Sequence, residues 1–104
     1  MEENSFPSLN EIRKEAQRIK PVVIVGRNGV TENLIDSVSD AFHTREVVKV
    51  KFNDWKEEKF DLSSVIAGKT GSRIISIIGN TLILFRKITR HEDEKSSPGP
   101  ENTN

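Results

Sequence analysis

The residues of this chain best suited to chemistry form one short segment, Gly26-Arg27-Asn28-Gly29, between a β-branched run and a helical pattern. Glycines at both ends let a backbone come close to a phosphate, and the start of the following helix offers free N–H groups. Arg27 adds positive charge, and Asn28 can donate to a phosphate, a sugar or a base. The segment is built like an anion site. A bare Gly-x-x-Gly has little specificity, however, and the chain has a second copy, Gly68-Lys69-Thr70-Gly71. Gly-Lys-Thr also ends the phosphate loop of nucleotide hydrolases. Here the first glycine of that motif would fall on Ser63, no strand precedes the segment, and it closes a helical pattern instead of opening one. The second copy is therefore expected to terminate a helix.

Catalysis has little raw material. There is no cysteine, and the two histidines, His43 and His91, lack a second ligand at metal spacing. Asp36 and Asp40 lie one turn apart on a helical pattern and read as a solvated face. A non-enzyme with no cofactor, no metal and no small-molecule substrate is expected. The formal net charge of zero hides a division: residues 8 to 90 hold fifteen Lys and Arg against ten Asp and Glu, a net of +5, and the ends hold the balancing −5. A basic domain suits a polyanion, because neutralising phosphates releases counterions; an ordinary domain with solvated charges fits the same count.

The remaining candidates depend on the elements that carry them. Ser8-Leu9-Asn10-Glu11 has capping-box spacing, and Leu9, Ile12, Ala16 and Ile19 then mark one face of a first helix until Pro21. Lys14 and Arg18 fall on the opposite side and Arg13 and Lys20 flank the apolar stripe, placed either to touch RNA or to solvate the helix. Val22 to Val25 has the continuous β-branched pattern of a strand buried on both faces. After the glycine segment, Thr31 is a plausible cap, with Val30 and Ile35 as a hydrophobic staple, for a second helix marked by Leu34, Val38, Ala41 and Phe42.

Val47 to Phe52 alternates as a strand, with Lys49 and Lys51 pointing to the same side. Leu62, Val65, Ile66 and Ala67 predict a third, shorter helix with Asp61 as candidate cap and Gly68 or Gly71 as its end. Arg73 to Ile78 and Thr81 to Arg86 predict a hairpin around Gly79-Asn80. Strict pairing puts Ile75, Ile77, Leu82 and Leu84 on one face, Ile74, Ile78, Ile83 and Phe85 on the other, and Arg73 directly opposite Arg86. The resulting like-charge strain would be relieved by a phosphate or simply by water and salt. Trp55, in a polar connection, is available to stack on a base or to pack at the core edge, the commoner fate. The reading is a compact α/β domain of order α-β-α-β-α-β-β, a four-stranded mixed sheet flanked by helices, the first covering the sheet face that the others leave bare.

Residues 1–7 and 91–104 have little to bury and are expected to be disordered tails around a domain at 8–90. No apolar run is long enough for a membrane span, and the acidic, polar N-terminus does not resemble a secretion or transit signal. A cytoplasmic monomer with no membrane partner is the expectation.

The order of these parts resembles the CRM domain, named for chloroplast RNA splicing and ribosome maturation and represented in bacteria by single-domain YhbY-like proteins. The likeness spans roughly Leu9 to Lys87. It rests on Ile19-Lys20-Pro21-Val22-Val23 leading into Gly26-Arg27-Asn28-Gly29-Val30-Thr31, on Val47-Val48-Lys49-Val50-Lys51, on Thr70-Gly71, and on Ile77-Ile78-Gly79-Asn80-Thr81-Leu82-Ile83-Leu84-Phe85-Arg86. Phe85 stands where members often carry tyrosine. The resemblance implies a fold similar to the C-terminal domain of a bacterial translation initiation factor. It also implies an RNA-binding role in which Gly26, Arg27, Asn28 and Gly29 contact phosphates as the glycine loop of KH domains does. Arg13, Lys14, Arg18, Lys20, Lys49, Lys51, Arg73 and Arg86 are added to that surface by charge. Single-domain members imply ribosomal RNA in precursors of the large subunit as the partner. Two other readings remain open, an intron-splicing cofactor and a protein interaction module that docks an acidic partner.

Overall fold

Ser8 starts the first helix as its spacing predicts. Its hydroxyl accepts from the Glu11 N–H while the Glu11 carboxylate accepts from the Ser8 N–H, both at 3.1 Å, a reciprocal cap whose loss costs about 1 kcal/mol. This computed structural model describes residues 7–88. The expectation of disordered tails therefore falls, apart from Pro7, outside the described residues.

The elements are α1 (Leu9–Arg18), β1 (Val23–Val25), α2 (Glu32–Ala41), β2 (Val47–Phe52), α3 (Lys59–Thr70), β3 (Arg73–Ile78) and β4 (Thr81–Phe85). The sheet runs β1-β2-β4-β3, with β1 parallel to β2 and the other neighbours antiparallel. This is the α-β-α-β-α-β-β mixed sheet expected. Among the described residues, no helix is long and apolar enough to cross a membrane.

Each sheet face has its own core. On one, Val48, Val50 and Phe52 of β2 and Leu82 and Leu84 of β4 pack with Leu34, Val38 and Phe42 from α2 and its C-terminal turn and with Ile66 and Ala67 of α3. Most of these are fully buried, so truncating one of the largest, Phe42, is expected to cost about 3–5 kcal/mol. On the other face Ile12 and Ala16 of α1 sit on Val47, Ile83 and Phe85. Thr31 caps α2, its hydroxyl accepting from the Leu34 N–H at 3.1 Å. Val30 and Ile35, the expected staple, both pack on the larger core.

Five expectations are corrected. β1 is not buried on both faces: it is an edge strand, and Ile24 is 54% exposed. The physical reason is the reach of α1, whose ten residues rise only about 15 Å and are spent over Val47, Ile83 and Phe85. Helix α3, expected to be the shorter one, is the longest at twelve residues. Asp61 lies inside its first turn and does not cap it; a 3-10 turn at Lys56–Glu58 leads in.

The other two corrections come from a β-bulge between Ile74 and Ser76. One extra residue on β3 turns Ile74 into the larger core beside Ile77 and sends Ile75 under α1, exchanging the faces that strict alternation assigns them. The same slip places Arg73 opposite Phe85, so Arg73 and Arg86 are not paired and no like-charge strain arises.

Candidate nucleic-acid interface

Three loops meet where β1 and β2 end and β4 begins. The Gly26–Gly29 loop leaves β1 as a tight turn, with the Gly29 N–H donating to the Gly26 carbonyl at 2.9 Å. Gly29 takes φ +72°, a left-handed conformation that glycine adopts without steric cost. Gly26 needs no such freedom, and a Cβ there would meet nothing within 4 Å. Its bareness opens an approach to the backbone instead of solving a local fit. Between them, the Arg27 and Asn28 N–H groups make no hydrogen bond among the described residues. The Arg27 guanidinium has no partner there either.

Neighbouring loops hold this turn in place. The Val25 carbonyl accepts from the Asn53 and Asp54 N–H groups at 3.0 and 3.1 Å. The Trp55 indole N–H donates to the Arg27 carbonyl at 2.9 Å, and its ring edge would lie 3.5 Å from a Cβ on Gly29. Trp55 itself has φ 58° and ψ 37°, and no other non-glycine residue among those described has positive φ. That conformation costs about 1–2 kcal/mol for a side-chain-bearing residue. The Phe52 N–H donates to the Asn80 carbonyl at 2.7 Å, and the Lys59 ammonium donates to the Gly79 carbonyl and the Asn80 Oδ1. The glycine turn therefore sits on a braced corner with its Arg27–Asn28 edge facing outward.

The first turns of α2 extend the corner into a shallow depression where Arg27 and Asn28 meet Thr31, Asn33 and Ser37. Glu32, in the first turn of α2, offsets the helix dipole there. Arg27 is the cation at this depression and must supply most of its attraction for an anion.

The other basic candidates divide into two groups. Arg13 and Lys49 share a cavity between α1 and the sheet with Gln17, Ile78 and Thr81. Lys49 also donates to the Ile19 carbonyl at 3.3 Å, tying the end of α1 to β2. Lys51 is exposed in a row that crosses the sheet from Ile24 through Thr81 to Ile78, and the Thr81–Ile78 end of that row borders the same cavity. Lys14, Arg18 and Lys20 are exposed on or just after α1. These residues lie on α1, just after it, or on the sheet face that α1 partly covers.

Arg73 and Arg86 do not. They stand beyond the opposite end of β2, about 17 Å away at the usual rise of a strand. Arg86 donates to the Thr70 carbonyl at 2.8 Å and lies 5.3 Å over the Phe42 ring. Its head is committed to closing the larger core. Arg73 is exposed beside Leu9 and Gly71.

The second Gly-x-x-Gly lies at that far end too. Gly71 ends α3 at φ +66° with its N–H donating to the Ala67 carbonyl. The Thr70 hydroxyl bonds the Ile66 carbonyl and the Ser72 hydroxyl, each at 2.8 Å. It terminates a helix, as its sequence context predicts.

The sequence over residues 7–86 matches the model of the CRS1 / YhbY (CRM) domain. The chain belongs to this family. Among relatives of this CRM domain, Probable RNA-binding protein YqeI of Bacillus subtilis is 30% identical over 77 residues, covering 73% of this chain and 80% of its own. An RNA-binding protein of Haemophilus influenzae is 32% identical over 72 residues, covering 68% and 73%. A maize CRM-domain containing factor, CFM3, chloroplastic/mitochondrial, is 29% identical over 106 residues, which are 99% of this chain but 13% of that one. The solution structure of a Staphylococcus aureus protein superposes with a TM-score of 0.66 at 26% identity, over 86% of this chain and 94% of that one.

Two residues of the CRM corner were not picked out by sequence reasoning. Asn33 and Ser37, one turn apart on α2, become visible only once the turn is known to fold against that helix. Trp55 was expected either to stack on a base or to pack at the core edge, and in the structure it packs on Gly29 while remaining 47% exposed.

Proposed function

We propose that this CRM domain binds RNA without catalysis, gripping the sugar-phosphate backbone with the Gly26–Gly29 loop. The observation that carries the reading is the pair of unengaged N–H groups at Arg27 and Asn28 on a braced turn, beside a guanidinium with no internal partner. Free amides next to an arginine suit a phosphate, and such contacts fix register without reading sequence. Arg13, Lys14, Arg18, Lys20, Lys49 and Lys51 enlarge the footprint across α1 and the uncovered part of the sheet. Arg86 supports the fold and Arg73 lies outside the footprint, both for reasons of distance and engagement. Binding by charge neutralisation weakens steeply with salt.

The cellular target we infer is ribosomal RNA in precursors of the large subunit, with the protein working as a monomer in the cytoplasm. The names of the bacterial relatives support RNA as the partner, and the family's association with ribosome maturation supports the particle. Sedimentation of extract on a sucrose gradient with and without nuclease, followed by sequencing of crosslinked RNA, tests this. Nuclease-sensitive migration with pre-large-subunit particles and ribosomal RNA crosslinks is expected. Intron crosslinks would transfer the role to splicing, and a nuclease-resistant protein complex without enriched RNA would overturn RNA binding as the main role.

A further inference from the structure

We propose that Trp55 stacks on a base beside the Gly26–Gly29 loop and thereby selects RNA in which a nucleotide is unpaired. The inference rests on the phosphate-grip reading of that loop and adds a class of substrate to it.

Three observations on Trp55 point the same way. It is the only tryptophan in the chain, and it is 47% exposed although it lies within reach of a packed corner. A tryptophan that merely plugs a core edge gains most by burial, and this one leaves about half of itself in water. It is also held in a left-handed backbone conformation, which opposes folding instead of assisting it. Finally, its one polar atom is already satisfied: the indole N–H donates to the Arg27 carbonyl at 2.9 Å.

These features make a prepared surface. The nearest ring atoms to the Gly29 position are Nε1, Cε2 and Cδ1, at 3.5, 3.7 and 3.9 Å from an ideal Cβ, so the pyrrole edge faces the loop. The hydrogen bond to Arg27 fixes the ring's torsions before any ligand arrives, which lowers the entropy lost on stacking. The same bond joins the ring to the residue whose side chain and N–H face the phosphate, so a nucleotide held by the loop has an aromatic neighbour within the same corner. Bases within a duplex are already stacked on both sides, and a protein ring can reach one only in a single strand, a bulge or a loop.

The single tryptophan also reports on itself. The full chain would be titrated with an unstructured RNA of about 12 nucleotides, with the matched duplex, and with the same strand carrying abasic sites, while Trp55 emission and affinity are followed. Quenching by the intact single strand, and little by the duplex or the abasic strand, is expected. Trp55→Leu is expected to weaken single-strand binding roughly tenfold and to leave duplex binding nearly unchanged. Trp55→Phe, which keeps an aromatic face but cannot donate to the Arg27 carbonyl, is expected to retain most of the preference; a role limited to bracing the loop would lose it. The quenching and abasic measurements use the unaltered chain and so do not depend on a variant folding. Unchanged emission during binding that Arg27→Glu abolishes would overturn stacking and leave the phosphate grip standing. Unaltered binding by a folded Arg27→Glu protein would remove the grip, and the proposal with it.

Discussion

The two Gly-x-x-Gly segments share a pattern and have opposite structural fates. Gly68–Gly71 spends its polar groups internally: the Gly71 N–H on Ala67, the Thr70 hydroxyl on Ile66 and Ser72, and the Thr70 carbonyl on Arg86. Gly26–Gly29 makes two bonds, from the Gly29 N–H to the Gly26 carbonyl and from the Trp55 indole N–H to the Arg27 carbonyl, and leaves the Arg27 and Asn28 N–H groups and the Arg27 guanidinium unengaged among the described residues. The difference lies in what the neighbours do with the loop. One is the last turn and cap of a helix and must satisfy that helix's last carbonyls. The other leaves a sheet edge, and its bracing comes from the partner loop, which leaves its own donors free.

The comparison can be sharpened by substitution at both ends. Arg86→Ala should show the largest effect on stability, about 2 kcal/mol, because it removes a charge-assisted hydrogen bond to Thr70 together with the contact over Phe42; denaturant melts measure it. Gly29→Ala and Gly71→Ala should each cost about 1 kcal/mol, since both positions have positive φ and open or ordinary contacts around a Cβ. Equal losses in stability should accompany unequal losses in RNA affinity, with only Gly29→Ala weakening binding; matched losses in affinity would erase the distinction.

The smallest effects separate the two remaining glycines. Gly68 lies inside α3 with nothing within 4 Å of a Cβ, so Gly68→Ala should stabilise the protein by about 0.5–1 kcal/mol and leave RNA binding alone. Gly26→Ala meets no neighbour and needs no unusual backbone angle. Its stability should be unchanged within about 0.5 kcal/mol, and its RNA affinity should fall if a nucleotide backbone approaches at that point. Unaltered affinity would place the phosphate elsewhere on the corner.

What the sequence made legible was local. The Ser8–Glu11 box, the Thr31 cap, the Gly79-Asn80 hairpin and the glycine turn each follow from a few adjacent residues, and the structure bears out each of these elements. What escaped was non-local. Nothing near Ile75 signals the bulge, because two isoleucines and a serine fit either register equally well until α1 and α3 claim opposite faces. The position of β1 at the edge depends on sheet order, and the exposure of Ile24 on the short span of α1. The fate of Arg86 depended on the bulge, since strict alternation had set it against Arg73. Trp55 carried no sign of a left-handed backbone, which ordinarily favours glycine, asparagine or aspartate.

The central claim is that one Gly-x-x-Gly grips RNA and the other ends a helix, and it is tested most directly by the same charge reversal in each. Arg27→Glu and Lys69→Glu change the net charge equally, so non-specific electrostatics affects both alike. RNA affinity would be titrated across a range of salt for the two folded variants and the parent chain. The account predicts a loss of roughly a hundredfold for Arg27→Glu, with a shallower salt slope, and a change within about threefold for Lys69→Glu. Equal losses in the two variants would contradict it, since they would mean that the protein attracts RNA by overall charge and that the Gly26–Gly29 loop has no special part in holding it.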